Sequence, residues 1–168
     1  VITTRMAVPA DAPELVRLRR LMFLGMDGRD EPGPWERDAE RMARRALHGG
    51  DGGAGRLGAF VVDGDEAGPP HLAACAVGSV EERLPAPKHP AGRFGFVFNV
   101  CTDERYRGRG YARATTEALL EWFAGHGVTR VDLHASGDAE RLYRSMGFAE
   151  HSTALSLDLS GRGRATGV

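Results

Sequence analysis

The chain has 168 residues, enough for one folded domain and short for two. Its 22 Lys and Arg against 23 Asp and Glu leave a formal charge of −1, which excludes a global field for holding nucleic acid or an anionic membrane, so any anion site has to be local. With 42% hydrophobic and 27% charged residues, the composition also excludes collagenous, fibrous and wholly disordered classes.

In chain order, residues 2–8 are β-tolerant, and Pro9-Ala10-Asp11 ends them with an Asp placed to cap a helix. Leu15, Leu18 and Met22 then recur at helical spacing, predicting an amphipathic helix over residues 13–26 with Arg17, Arg19 and Arg20 off the apolar stripe. A second helix is expected from Pro34 to Leu47, with Trp35, Ala39, Met42, Ala43 and Ala46 on one face and Gly49-Gly50 as its stop. Residues 49–55 read as a mobile loop.

The chemistry then changes to strands over 57–62, 72–80 and 94–102, separated by a turn at 64–70 and a Pro-rich loop at 84–92, which predicts an antiparallel meander. Strict alternation along the third strand sets Phe94, Phe96, Phe98 and Val100 on one face and Val97, Asn99 and Cys101 on the other, so both faces are apolar and the strand is central. A helix follows to about Gly125, with Ala112, Thr116, Leu119, Leu120 and Phe123 on one face. The remainder reads as a strand over 128–134, a short helix over 138–146, and a last strand over 148–159 in which Leu155, Leu157 and Leu159 alternate with Ser156 and Asp158. The fold class is therefore α/β with a mixed sheet, in one domain spanning 1–159, followed by a frayed tail at 160–168.

No apolar run approaches the roughly 20 residues of a membrane span, and residues 1–8 lack the flank and core of a signal peptide. Cys75 and Cys101 lie in strand-like runs and read as buried, reduced thiols. The expectation is a cytoplasmic protein without membrane or nucleic-acid partners. The six histidines form no i,i+4 pair and no cluster with cysteine, so no metal is expected. No Gly-x-Ser-x-Gly elbow occurs and neither cysteine starts a helix, which disfavours a covalent nucleophile.

The most informative segment runs from Arg105 to Ala112, between the central strand and the helix it opens. Helix N-termini offer unpaired N–H groups and the positive end of a dipole, a ready phosphate site. Gly108 and Gly110 let a ligand approach the backbone, and Arg105, Arg107 and Arg109 concentrate positive charge. A dinucleotide fingerprint is ruled out by Arg113 where a third small residue belongs, and no Gly-Lys-Ser/Thr exists for a P-loop.

Arg107-Gly108-Arg109-Gly110-Tyr111-Ala112 resembles the R/Q-x-x-G-x-G/A signature of the GNAT superfamily of N-acetyltransferases, with Val100 and Tyr106 also at familiar positions. Residues 139–148, from Ala139 through Leu142-Tyr143 to Gly147-Phe148, are similar to that family's second signature, A-x-x-L-Y-x-x-x-G-F. Ala7-Val8-Pro9-Ala10-Asp11-Ala12-Pro13 is similar to its first strand and helix cap. The resemblance covers residues 2–159. It implies the GNAT-like acyl-CoA N-acyltransferase fold, an antiparallel meander with splayed central strands flanked by helices, and acetyl-CoA as cosubstrate. It also implies that the backbone of Arg107, Gly108, Arg109, Gly110, Tyr111 and Ala112 cradles the pyrophosphate while the pantetheine arm lies along Val100, Cys101 and Thr102. Tyr143 is then the general acid for the departing thiolate, and a homodimer pairing through the sheet edge or the 155–159 strand is expected.

Two departures from the family pattern stand out. Ser136 occupies the position where relatives carry an Asn bonded to the cofactor arm, and it has shorter reach. The central strand has no carboxylate, so the base falls among Glu81, Glu82, Asp103, His134 and a water chain. Two functions follow: acetyl transfer to a small-molecule or peptide amine, or a CoA-binding sensor or scaffold without turnover. The acceptor pocket is expected in residues 22–34 and 81–92, and a longer acyl donor stays open.

Overall fold

A meander of antiparallel pairs sets the frame of the protein. In the computed structural model, which describes residues 1–48 and 56–162, β1 (Arg5–Met6), β2 (Leu57–Asp63), β3 (Leu72–Glu82) and β4 (Arg93–Thr102) pair in succession. β5 (Arg130–Leu133) then joins β4 in parallel, giving the order β1-β2-β3-β4-β5. A parallel neighbour needs a crossover, and α3 (Tyr111–Gly125) supplies it. The mixed sheet and its flanking helices agree with the expected class, while the 49–55 loop lies outside the described residues.

Each face of the sheet has its own core. On one, α1 (Ala12–Asp27) lays Leu15 and Leu18 on Ala59, Val61, Cys75 and Val77, joined by Leu47 from the end of α2 (Trp35–Leu47). On the other, Leu119, Trp122 and Phe123 of α3 pack on Ala76, Val80 and Val97. The sheet admits the bulky α3 side chains because glycines stand beneath them: a Cβ at Gly78 would lie 2.7 Å from Phe123 Cζ and 2.8 Å from the Phe96 carbonyl oxygen. Cys75 and Cys101 face one another across β3 and β4, both free and buried. Burial pushes the Cys75 thiol up to about 12 and the Cys101 thiol up to about 11, so both stay protonated and unreactive.

Four local expectations give way to physical detail. Asp11 turns back instead of capping α1: its carboxylate accepts from the Val8 N–H at 2.8 Å and from Arg5. Met42 is exposed on α2, whose one buried residue is Leu47. The β3–β4 register shifts between Val77 and Gly78, so Phe98 is an extra residue bulged from β4 and the strict alternation fails there. As a result Val97 and Val100 both pack on the α3 side, whereas Cys101 belongs to the α1 core. Finally, residues 148–159 form no strand, and the sheet ends at β5. Leu155 is 88% exposed, with Leu157 and Leu159 also exposed.

The described chain divides into two compact units, Val1–Ser136 and a shorter one beginning at Gly137. The second unit holds α4 (Gly137–Ser145), where Tyr143 meets Phe148 edge-on at 5.9 Å between ring centres and Arg144 pairs with Glu140 and Glu150.

Replacing Gly78 with Ala forces a methyl group between a backbone carbonyl and an aromatic ring. We expect it to lower unfolding free energy by about 1–3 kcal/mol, read as a lower urea midpoint at unchanged slope. An unchanged midpoint would show that the α3–sheet contact is looser than described.

Candidate functional site

The site begins where β4 ends. Beyond Thr102 the chain makes a 3₁₀ turn over Glu104–Tyr106, then a bend in which Gly108 has φ +76° and Gly110 φ +83°, and α3 starts at Tyr111. Both φ values lie in the left-handed region that glycine adopts without steric cost. A Cβ at Gly108 would project into open space, so protein packing does not demand its absence. The N-terminus of α3 has no side-chain cap and no acidic residue in its first turn; the first helical bond runs from the Ala114 N–H to the Gly110 carbonyl at 3.0 Å. The N–H groups ahead of Ala114 are left for an external acceptor, with the helix dipole favouring an anion.

Three arginines precede this helix, and they differ in availability. Arg105 is committed, donating Nε and Nη2 to Asp103 at 3.0 Å each. Arg109 lies 5.2 Å from the Tyr106 ring centre and 3.9 Å from Glu66. Arg107 is exposed and makes no ion pair among the described residues. Tyr106 is fully buried; its hydroxyl accepts from the Glu66 N–H at 2.9 Å and shares a 2.6 Å hydrogen bond with His71 Nε2, fastening the turn to the β2–β3 connection. A cleft of about 430 Å³ borders the turn on the β1 side, lined by Ile2, Arg5, Asp63, Arg109 and Tyr111.

Asp103 anchors the arrangement. Its buried carboxylate accepts from Arg17 Nη1 at 2.7 Å, from the Arg105 side chain, and from the Arg105 N–H at 3.0 Å. Arg105 first, and then Arg17, hold this carboxyl well below the usual carboxylate range. A carboxylate so stabilised is a poor proton acceptor, which removes Asp103 from the candidate bases.

The second part of the site is a split in the sheet. β5 pairs with β4 only from Phe94 to Val97, so residues 98–102 of β4 have no β5 partner on that side. The split starts at the Phe98 bulge, which explains why two adjacent residues, Phe98 and Asn99, both meet Arg19 of α1. Arg19 donates to Asn99 Oδ1 at 3.1 Å and lies 5.8 Å from the Phe98 ring centre.

The expected backbone cradle, Arg107 to Ala112, is therefore one continuous turn and helix start, and Val100 and Thr102 lie along the split. Cys101 is on the split strand, but its side chain is buried in the α1 core. Ser136 is exposed beside the start of α4, and Tyr143 is buried in the C-terminal unit. Among the candidate bases, Glu81 pairs with Arg83 at 2.8 Å and Glu82 approaches Arg56 at 3.8 Å. They stand opposite Phe94 and Arg93, about 13 Å and about 16 Å along the strand from the bulge at roughly 3.3 Å per residue. His134 follows Leu133, the last β5 residue in register with β4, and meets the Phe96 ring edge-on at 5.4 Å, which puts it at the mouth of the split.

Arg17 and Arg19 are residues that the sequence reading passed over, as arginines off the stripe. A usable signal existed for Arg19, which is four residues from both Leu15 and Phe23 and so flanks the apolar face. Among the described residues, no group of three or more His, Cys, Asp or Glu could hold a metal ion, and no helix is long and apolar enough to cross a membrane.

Comparison with known proteins bears on this geometry. The family model described as the acetyltransferase (GNAT) family matches residues 20–148. A search of curated proteins returns no match. Among similar solved structures is a protein from Clostridium acetobutylicum described as a predicted acetyltransferase with acetyl-CoA, at TM-score 0.79 and 20% identity, covering 98% of this chain and all of the other. A GCN5-related N-acetyltransferase from Ralstonia eutropha JMP134 aligns at TM-score 0.73 and 22% identity over 95% of this chain and all of its own. Glucosamine-6-phosphate N-acetyltransferase from Arabidopsis thaliana aligns at 0.71 and 19% over 95% of this chain and 99% of its own.

Because Asp103 is held below its unfolded value, the unfolded chain takes up the proton first as pH falls. Its contribution is complete above about pH 5 and drains away as pH drops below about 4. Asp103→Asn should cost about 2–3 kcal/mol at pH 7 in urea unfolding, with the gap to wild type closing in acid. A gap that persists undiminished at pH 3 would contradict this assignment.

Proposed function

The chain belongs to the GNAT family of acetyltransferases, and from that premise we propose that it transfers the acetyl group of acetyl-CoA directly to a primary amine. One observation carries the reading: the uncapped N-terminus of α3, entered through two left-handed glycines and free of acidic side chains. Three features support pyrophosphate as its ligand. Open space lies where a Gly108 Cβ would be, Arg107 has no carboxylate partner among the described residues, and the dipole and N–H groups all favour an anion. The unpaired edge of β4 over residues 98–102 suits the amides of a pantetheine arm, which would hydrogen-bond it as a missing strand does.

The reaction needs a lone pair, a leaving group and two proton transfers. The amine nitrogen attacks the thioester carbonyl carbon; the C–N bond forms, the C–S bond breaks, and sulfur departs as a thiolate that takes up a proton. We assign that proton to Tyr143 on the strength of its motif. Burial pushes its phenol above the ordinary value of 10, so it is protonated, and able to donate, at neutral pH. The proton lost by nitrogen we assign to His134, because Glu81 and Glu82 sit at the far end of the paired strands and Asp103 is locked. The glucosamine-6-phosphate specificity in the name of the similar Arabidopsis enzyme supports nitrogen as the accepting atom.

Two measurements test the reading. In a thiol-release assay across an amine library, the protein is expected to release CoA only when acetyl-CoA and an amine are both present. Saturable CoA binding without amine-dependent thiol would instead favour a binding module of the same fold. Gly110→Asp, which brings a charge against the pyrophosphate and strains a left-handed position, should weaken CoA binding by about 1–3 kcal/mol; unchanged affinity in folded protein would defeat the cradle.

Tyr143→Phe should lower kcat by about 10²–10⁴ with little change in CoA dissociation, and His134→Ala by at least about tenfold, water replacing part of an exposed base. Full wild-type kcat at saturating substrates in either variant would remove that residue from the mechanism and leave the acetyltransferase reading standing.

A further inference from the structure

α1 carries three arginines, and two of them are neutralised locally. Arg17 pairs with Glu14 and Asp103, and Arg20 with Asp30 and Glu36. Arg19 has no carboxylate within ion-pair distance among the described residues, although it is half-buried and faces the sheet. Leaving a guanidinium partly desolvated and unpaired is unfavourable, and burial here acts against its charged form. The rest of the structure nonetheless holds it in place.

Its placement is built by three elements. The Phe23 ring, one helical turn along α1, lies 4.7 Å from the guanidinium carbon, and the bulged Phe98 ring lies 5.8 Å from it. Asn99, beneath it, accepts one N–H through Oδ1 and is itself steadied by its Nδ2 contact to Cys75 Sγ at 3.5 Å. A guanidinium has five N–H donors, and Asn99 is the one hydrogen-bond partner of Arg19 among the described residues. The group is thus oriented by two rings and an amide and keeps donors available for a second acceptor. It lies on the α1 side of β4, at the bulge where β5 separates, beside the strand edge on which acetyl transfer is proposed to occur.

We propose that Arg19 is the acceptor-anion site of this enzyme: it selects a primary amine that also carries a carboxylate or phosphate, binding that group through the free donors of its guanidinium. The inference rests on the acetyltransferase reading for where the amine must lie, and on Arg19, Phe23, Phe98 and Asn99 for the charge. Planar, paired donors suit an oxyanion with two oxygens, so a neutral amine of similar size leaves the guanidinium unmatched and loses the binding. The formal net charge of −1 fits this arrangement, since specificity then comes from one fixed cation and not from a long-range field.

The test uses matched probes on the full chain saturated with acetyl-CoA for turnover, or with CoA for calorimetric binding. One arm pairs common L-amino acids with their carboxamides, and the other pairs O-phosphoethanolamine with ethanolamine, so that carboxylate and phosphate are distinguished. We expect the anionic member of at least one arm to be favoured by about ten- to a hundredfold in kcat/KM and in affinity, as for a charge-assisted hydrogen bond. Arg19→Gln should collapse that ratio toward one while CoA affinity stays at the wild-type value, and Arg19→Lys should restore it in part.

Equal treatment of charged and neutral members in wild type overturns the proposal, and so does a preference that survives Arg19→Gln. The wild-type comparison decides even where Arg19→Gln does not fold. Anion binding that depends on Arg19 but yields no thiol from any probe upholds the anion site and defeats the acetyltransferase reading.

Discussion

The carboxylate of Asp103 is the point through which the pieces of the site are tied together. It terminates β4, and its backbone N–H donates to the Ala73 carbonyl at 2.8 Å, so its position is fixed by the sheet. Arg17 brings α1 to it, while Arg17 also donates to the Leu72 carbonyl at 3.0 Å, and Glu14 accepts from the Leu72 N–H at 2.8 Å. Arg105 brings the 3₁₀ turn to it. One buried charge thereby links the helix carrying Arg19, the start of β3 and the turn entering α3. A buried carboxylate is costly unless several donors satisfy it, and here the donors are also the parts that must be positioned.

From that anchor the remaining geometry follows with few free choices. Tyr106, buried and next in the chain after Arg105, fixes the turn against the β2–β3 connection, and the two left-handed glycines then aim the first N–H groups of α3 outward. The bulge at Phe98 is the complementary device on the strand. An extra residue bends and twists one strand away from regular pairing. β4 therefore stays paired with β3 throughout while β5 lets go after Val97. The same bulge turns Phe98 toward the face occupied by Arg19, so opening the strand edge and building the cation's surroundings are one event.

Much of this was readable from residues, and the parts that were not share a cause. The elements from residues 12 to 133 fall close to their expected limits because apolar spacing and Gly/Pro punctuation are local signals, and the Arg107–Ala112 motif marked the turn for the same reason. Partners across the fold leave no such trace. Nothing local says that Arg17 reaches Asp103, 86 positions away, or that Arg19 meets Asn99, 80 positions away. The bulge is not legible in the sequence because the alternation Phe94, Phe96, Phe98 is also what a regular strand shows, and the extra residue is defined only by the register with β3. The Leu155, Leu157 and Leu159 alternation marks strand-forming tendency; a strand also requires a paired neighbour, and residues 148–159 have none in the described sheet.

The central claim is that CoA is held by backbone groups at the end of β4 and the start of α3. Amide hydrogen exchange with and without saturating CoA tests it directly, because bound N–H groups exchange slowly and free ones do not. The account predicts CoA-dependent protection concentrated in residues 98–102 and 107–113, with little change in β1, β2 or α2. Saturable CoA binding that leaves those two segments exchanging as fast as in the free protein would contradict it.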